Sequence, residues 1–358
     1  MVARAVHLDH PREDGLSRTG RCSTVLLLSV LACLAGPAAF GQGGGHTQDL
    51  AECGSSDHSN IPRQIEACTR AIADNAGNKP ALFMAYLGRA IVYGGSGQID
   101  RALADSEALV ALAPESPWPY LTRGIAFGKL HDFDRALADF EKVIAMAPNP
   151  GVAEAYLQRS FIYSQKGEWE RACTDAREAA KLAPHSGIAL AGRAGCYLME
   201  GDNRNALADA SQAILLQPEI ASAYSIRAEV YLQAGRLAEA QTEVDHALRL
   251  NPDSISARAY NGQIALAQGK TDLALAELTR AIDLGSKSPE TIASRGDAYE
   301  REGKIGLALA DYRQALQLAA LNEGDRKAQE TARQRIAVLD PASTDAPARG
   351  TRTHGAPK

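Results

Sequence analysis

The chain has 358 residues, 45% hydrophobic and 23% charged, a soluble ratio that excludes a collagen, a disordered acidic chain and a polytopic membrane protein. Lysine and arginine number 38 against 43 aspartates and glutamates, and a net charge of −5 gives no general attraction to phosphate backbones or anionic lipid, so no nucleic-acid partner is expected. Only 5% of residues are aromatic, thin for a sandwich or barrel, and the abundant Ala, Leu, Glu, Arg and Gln are helix formers.

Residues 1–41 read as an address. Arg18 and Arg21 precede an apolar run from Val25 to Ala35 that Gly36 and Pro37 end, and small residues follow around Ala39 and Gly41. Such a run is too short to span a bilayer, and positive, apolar and then small residues is the layout of a cleavable secretory signal, with cleavage before Gln42. The expected location is secreted or periplasmic, with no direct membrane insertion after cleavage. The alternatives are an uncleaved anchor or buried helix, and a lipoprotein: Val30-Leu31-Ala32-Cys33 is weakly similar to a bacterial lipoprotein box, although Leu31 stands where that motif prefers a small residue.

Residues 42–48, including the Gly43–Gly45 run, read as a linker; a glycine cluster not set between a strand and a helix is no phosphate loop. Residues 49–82 read as a degenerate helical cap. Gln64–Ala73 is its second helix, because Ala67-Cys68-Thr69-Arg70-Ala71 echoes Ala172-Cys173-Thr174-Asp175-Ala176, and a short partner lies around Gln48–Cys53. Helices that small are marginal alone. A Cys53–Cys68 disulfide would add roughly 3 kcal/mol in the chain-entropy model and is the expected pairing; otherwise Cys68 is a buried thiol and Cys53 an exposed one.

From residue 83 the chain repeats. Pro114, Pro148, Pro184, Pro218 and Pro252 fall 34, 36, 34 and 34 residues apart. Seven copies follow, 83–116, 117–150, 153–186, 187–220, 221–254, 255–288 and 289–322, with residues 149–152 absorbing two extra positions. Within a copy, aromatic or apolar residues stand at positions 4 and 11, a small residue at 8, often Gly at 15, Ala at 20, a mixed residue at 24, usually Ala at 27 and usually Pro at 32. Spacings of three and four return to one helical face, so positions 4, 8 and 11 share a stripe of a first helix and 20, 24 and 27 a stripe of a second. Gly near 15 reverses the chain and Pro at 32 stops the second helix.

This pattern resembles the tetratricopeptide repeat, closely so in Tyr120-Leu121-Thr122-Arg123-Gly124-Ile125-Ala126-Phe127, Phe133 to Phe140 and Pro148. Copies six and seven depart from it, with Arg258 and Ile292 at position 4 and no closing proline. The resemblance implies an all-α fold, a right-handed α-solenoid of stacked antiparallel helix hairpins, with a concave wall formed by positions 2, 5, 6, 9, 12 and 13 of the first helices. On that wall the partner-binding candidates are Trp118, Leu121, Ile125, Leu157 and Phe161, then Leu198, Ile226, Leu232 and Tyr260. Polar or flexible neighbours are Lys129, Gln158, Gln165, Met199, Glu229 and Gln263. With Lys129 the only cation at those positions in copies two to six, the carboxylate clamp of the family's chaperone adaptors is missing, and a largely uncharged groove suits an apolar or extended segment of another protein.

Two further columns run through the copies: Arg89, Arg123, Arg159, Arg193, Arg227, Asn261 and Arg295 at position 7, and Asp105, Asp139, Asp175, Asp209, Glu243, Glu277 and Asp311 at position 23. They predict a ladder of ion pairs between the second helix of one copy and the first helix of the next, with Glu243 facing Asn261 at its weakest step. Cys173 and Cys196 fall in columns otherwise held by aliphatic residues; they are either a disulfide or two buried thiols.

Residues 323–340 carry the periodicity of a capping helix through Ala328, Ala332, Ile336 and Leu339, and residues 341–358, rich in Pro, Thr, Gly and Arg, read as a disordered tail. The eight histidines show no metal or catalytic spacing, and no Cys-x-x-Cys occurs. The expectation is a non-enzymatic scaffold that binds a polypeptide, without metal or cofactor; the alternatives are the lipid-anchored envelope-assembly protein or a regulatory subunit of an enzyme on a separate chain.

Overall fold

A computed structural model describes residues 46–55 and 59–341. The leader 1–41, the first part of the linker, Cys33 and the tail after Pro341 lie outside the described residues. Among those described there are helices and turns and no strand. In order the helices are α1 His46–Cys53, α2 Ile61–Asp74, α3 Lys79–Gly95, α4 Ile99–Leu112, α5 Pro117–Lys129, α6 Phe133–Ala145, α7 Val152–Lys166, α8 Trp169–Leu182, α9 Gly187–Met199, α10 Asn203–Leu216, α11 Ala221–Gln233, α12 Leu237–Leu250, α13 Ile255–Ala267, α14 Thr271–Asp283, α15 Pro289–Arg301, α16 Ile305–Gln317 and α17 Glu323–Leu339.

Two boundaries differ from expectation. Helix α1 begins at His46, inside the stretch read as linker, because it is held against α2: Cys53 is bonded to Cys68 with their Cα atoms 4.7 Å apart, and Arg70 Nη2 donates to Asp49 at 2.7 Å. Helix α3 starts at Lys79, a turn ahead of residue 83, where Asn78 caps it by accepting from the Ala81 N–H.

Each helix packs on the next, and consecutive first helices also touch one another, as α9, α11, α13 and α15 do, which makes them the inner layer of an α-solenoid. The hairpins are reversed by a left-handed residue at position 15. It is glycine in six copies, among them Gly97 (φ 76°) and Gly235 (φ 70°), and His131 (φ 59°) in the second. Inside each hairpin, positions 8 and 24 are fitted to each other. A methyl group on Gly124, Gly262 or Gly296 would lie 2.7 Å from Phe140, 2.5 Å from Leu278 and 2.9 Å from Tyr312. Where position 8 is Ala or Ser, its counterpart is smaller: Ser106, Ala176, Ala210 or Val244.

The charged ladder is present, but within hairpins rather than between copies. Arg89, Arg123, Arg159, Arg193 and Arg295 each fork onto the aspartate sixteen residues later, with N–O distances of 2.6 to 2.9 Å, and Arg227 does the same to Glu243. The guanidinium lies beside the rings at positions 4 and 11; that of Arg159 is 5.5 Å from the Tyr156 centroid and 5.7 Å from Tyr163. Columns 4, 7, 11 and 23 are therefore one structural unit, and the forked pairing rather than the neighbouring copy satisfies the buried acids. Glu243 does not face Asn261, which instead accepts from Gln241 Nε2 at 3.0 Å.

The array ends on α17. Its Ala332 and Ile336 are buried in the last core cluster, with Ala328 and Leu339 against it. Asp325, 2% exposed, accepts from Ser288 Oγ (2.9 Å), the Glu290 N–H (3.3 Å) and the Leu321 N–H (3.1 Å), and so caps the N-terminus of α15 from α17. No helix among the described residues is long and apolar enough to cross a membrane.

Candidate partner-binding groove

Side chains on the inner layer divide according to what the next hairpin covers. Trp118 and Leu121 are 7% and 0% exposed and belong to the core cluster of the first hairpins. A methyl group on Gly151 would come within 3.3 Å of Leu121 and 3.8 Å of Trp118. The two extra residues after the second copy thus fold over both, which removes them from the wall. Ile125 is half-buried against the same cluster, Leu157 packs beside Gly192, Leu232 packs on the α11–α13 cluster, and Phe161 is half-buried on α7.

Leu198, Ile226 and Tyr260 do come together. They line a groove that runs across α9, α11, α13 and α15 and is closed by the α14–α15 loop and the start of α17. Its floor is shallow and small at Gly192, Gly195, Ser222, Ser256 and Ala259, so backbone and hydroxyl groups lie near the surface. Cys196 lines it as well, bonded to Cys173 of α8 with a Cα separation of 5.5 Å.

The end of the groove is not uncharged. Glu229, Glu290 and Asp325 converge there, and among the described residues lining it Lys287 is the only cation. The Tyr260 hydroxyl donates to Glu229, as does Gln233 Nε2 at 3.0 Å. Burial pushes the Glu229 carboxyl above the usual range and the negative charge of Asp325 adds to this, while the two hydrogen bonds oppose it. Glu290 is pushed up to about 8 by burial and by the charges of Glu229 and Asp325, with Lys327 opposing. Its carboxylate lies against α17, where a methyl group on Gly324 would be 2.7 Å from Oε2.

Glu229 was within reach of sequence reasoning, standing at position 9 of the wall. Glu290 stands at wall position 2 of the last copy and carried the same signal, whereas Asp325 lies beyond the repeats and meets them only once α17 has docked. Among the described residues no group of three or more His, Cys, Asp or Glu is arranged to hold a metal ion.

Profiles of the tetratricopeptide repeat match residues 91–158, 153–186, 197–255, 227–289 and 261–323. No curated protein matches the chain. Among solved structures, the APC/C hetero-tetramer Cut9-Hcn1 is similar with a TM-score of 0.57 at 16% identity, over 80% of this chain and 54% of that one. Human IFIT1, solved as a dimer with m7Gppp-AAAA, has a TM-score of 0.50 at 16% identity over 76% and 71%. A tetratricopeptide repeat protein from Parabacteroides merdae has a TM-score of 0.48 at 18% identity, over 75% of this chain and 100% of that one. The chain spans about half the length of the Cut9-Hcn1 chain, and at such identities the likeness is one of fold.

Proposed function

We propose, because this chain belongs to the tetratricopeptide repeat family, that it holds an extended segment of another polypeptide in the groove across α9, α11, α13 and α15. The repeat array supports a protein–protein interaction scaffold in general. The observation that carries the finer reading is the convergence of the part-exposed Leu198 and Tyr260 on one open floor, with the buried Ile226 beneath them, where an aromatic ring and an aliphatic neighbour supply the anchors of an interface. The hydroxyl groups of Ser222 and Ser256 supply polar contacts to a partner's main chain. The chain acts by binding rather than by catalysis.

The same reading places it outside the cytoplasm after removal of the leader. The apolar run Val25–Ala35 and the two cystine bridges support this, since disulfides persist in oxidising compartments. Mass spectrometry of the mature amino terminus checks the export step. A chain starting at Gln42 agrees with it, an acylated Cys33 agrees with export but replaces the soluble form by an anchored one, and an intact leader overturns it.

Binding is tested with a photo-crosslinking side chain placed at Gln263 in the groove and, separately, at Leu307 on the outer helix α16, where the native residue is 50% exposed. A partner joined from Gln263, absent from Leu307 and lost on Tyr260→Ala supports the groove. The same partner joined only from Leu307 overturns it.

A further inference from the structure

The acidic end of the groove is an unusual place for an aliphatic segment to stop, and the sequence holds a complementary piece of chain. Beyond Pro341, residues 342–358 carry Arg349, Arg352, His354 and Lys358 against the single acid Asp345, and contain no aromatic and no large aliphatic residue. A strand of such small side chains suits a floor made by Gly195, Ser222, Ser256 and Ala259. Opposite it stand Glu229 and Glu290 beside the buried Asp325, with Lys287 the only cation among the described lining residues.

The reach also fits. Helix α17 starts at the groove, where Asp325 touches Ser288 and the Glu290 N–H, and carries the chain away to Pro341. At 1.5 Å per residue that departure is about 24 Å. Eight residues from Pro341 to Arg349 return at most about 26–29 Å when extended, and Arg352 about 36–40 Å. Arg349 is thus the first cation able to come back to Glu290, and Arg352 arrives with slack. Tethering at this distance gives an effective concentration on the order of millimolar, so modest intrinsic affinity is enough for occupancy.

We propose that residues 342–358 of this same chain return into the acidic end of the groove, seating the guanidinium groups of Arg349 and Arg352 among Glu229 and Glu290. The tail is then a resident competitor for the floor. Its binding stands independently of the partner; only the competition rests on the reading given above.

The test uses the full chain and a fluorescent synthetic peptide of residues 342–358. The full chain carrying Arg349→Ala and Arg352→Ala has an emptied groove and should bind the peptide at least about tenfold tighter than the wild-type chain, whose own tail blocks it. Adding Glu229→Gln and Glu290→Gln should abolish that binding, and raising salt from 50 to 500 mM should weaken it. The arginine substitutions lie outside the repeat copies, so they remain informative even if the glutamine variants unfold. Equal affinity of wild-type and arginine-substituted chains, or no peptide binding to either, overturns the proposal. Because no other protein enters the assay, its failure leaves the crosslinking result at Gln263 untouched, and the converse also holds.

Discussion

Arg258 meets Glu277 at 2.8 Å from position 4 of its hairpin, three residues before the place where six other hairpins hold their arginine. The same side chain donates from Nε to the Pro252 carbonyl at 2.8 Å, a bond made elsewhere by the position-4 tyrosine hydroxyl, as in Tyr120 to Pro114 and Tyr224 to Pro218, both 3.0 Å. One arginine thus performs the tasks of a tyrosine and an arginine, and Glu277 supplies the extra methylene needed to meet it. The substitution releases an aromatic residue to position 6, where Tyr260 reaches the groove and Glu229. The irregular copy is thus the one that sends an aromatic ring into the groove.

Arg258→Ala should therefore destabilise the chain by about 2–3 kcal/mol, since Glu277 is left half-buried without its partner. The double change Arg258→Tyr with Asn261→Arg rebuilds the arrangement of the other hairpins and should recover most of that loss. Urea unfolding followed by circular dichroism measures both, and no recovery in the double variant would contradict the equivalence of the two arrangements.

His131 occupies the left-handed turn position that is glycine in the other six repeats. A side chain there is strained by roughly 1 kcal/mol, and the edge-on contact of its ring with Phe133, 5.6 Å between centroids, is open to solvent and small. His131→Gly should raise the unfolding midpoint by a comparable amount. A midpoint that falls would show the His131–Phe133 contact to outweigh the strain.

Gly124→Ala drives a methyl group into the Phe140 ring and should lower stability by about 1–3 kcal/mol through overpacking. Phe140→Val, copying the Ala228 and Val244 pairing of another hairpin, should be partly compensatory in the double variant. Additive losses in a double-mutant cycle would mean the two positions are not coupled.

Glu290 holds its proton more tightly folded, at about 8, than unfolded near 4.5. A raised carboxyl value contributes stability that is present below the unfolded value and is lost as pH rises toward 8. Glu290→Gln lacks this dependence, so its melting temperature relative to wild type should be nearly level at pH 4.5 and pull ahead by pH 8.5, the full linkage of such a shift being roughly 4–5 kcal/mol. Parallel profiles for the two proteins across that range would remove the linkage.

Repeat phase, turn positions and the 4, 7, 11 and 23 columns were legible in the sequence, because each repeats a local spacing and so averages over seven copies. The partner of each arginine was not. A second helix lies between the first helix of its own hairpin and that of the next, and side-chain period fixes a face without choosing between the two. Trp118 and Leu121 were misplaced for a related reason: the insertion around Gly151 has no counterpart in other copies, so no column could show that it covers them. The acidic end of the groove was hidden because Asp325 and Ser288 are 37 residues apart and belong to different units.

The bridge between Cys173 and Cys196 joins the outer helix of the third copy to the inner helix of the fourth. A stacked array bends like a spring, sharing small rotations among its seams. A covalent tie across one seam takes that joint out of the motion, so the trough keeps a fixed width at the Leu198 end. Any widening of the trough then falls to the seams nearer α15.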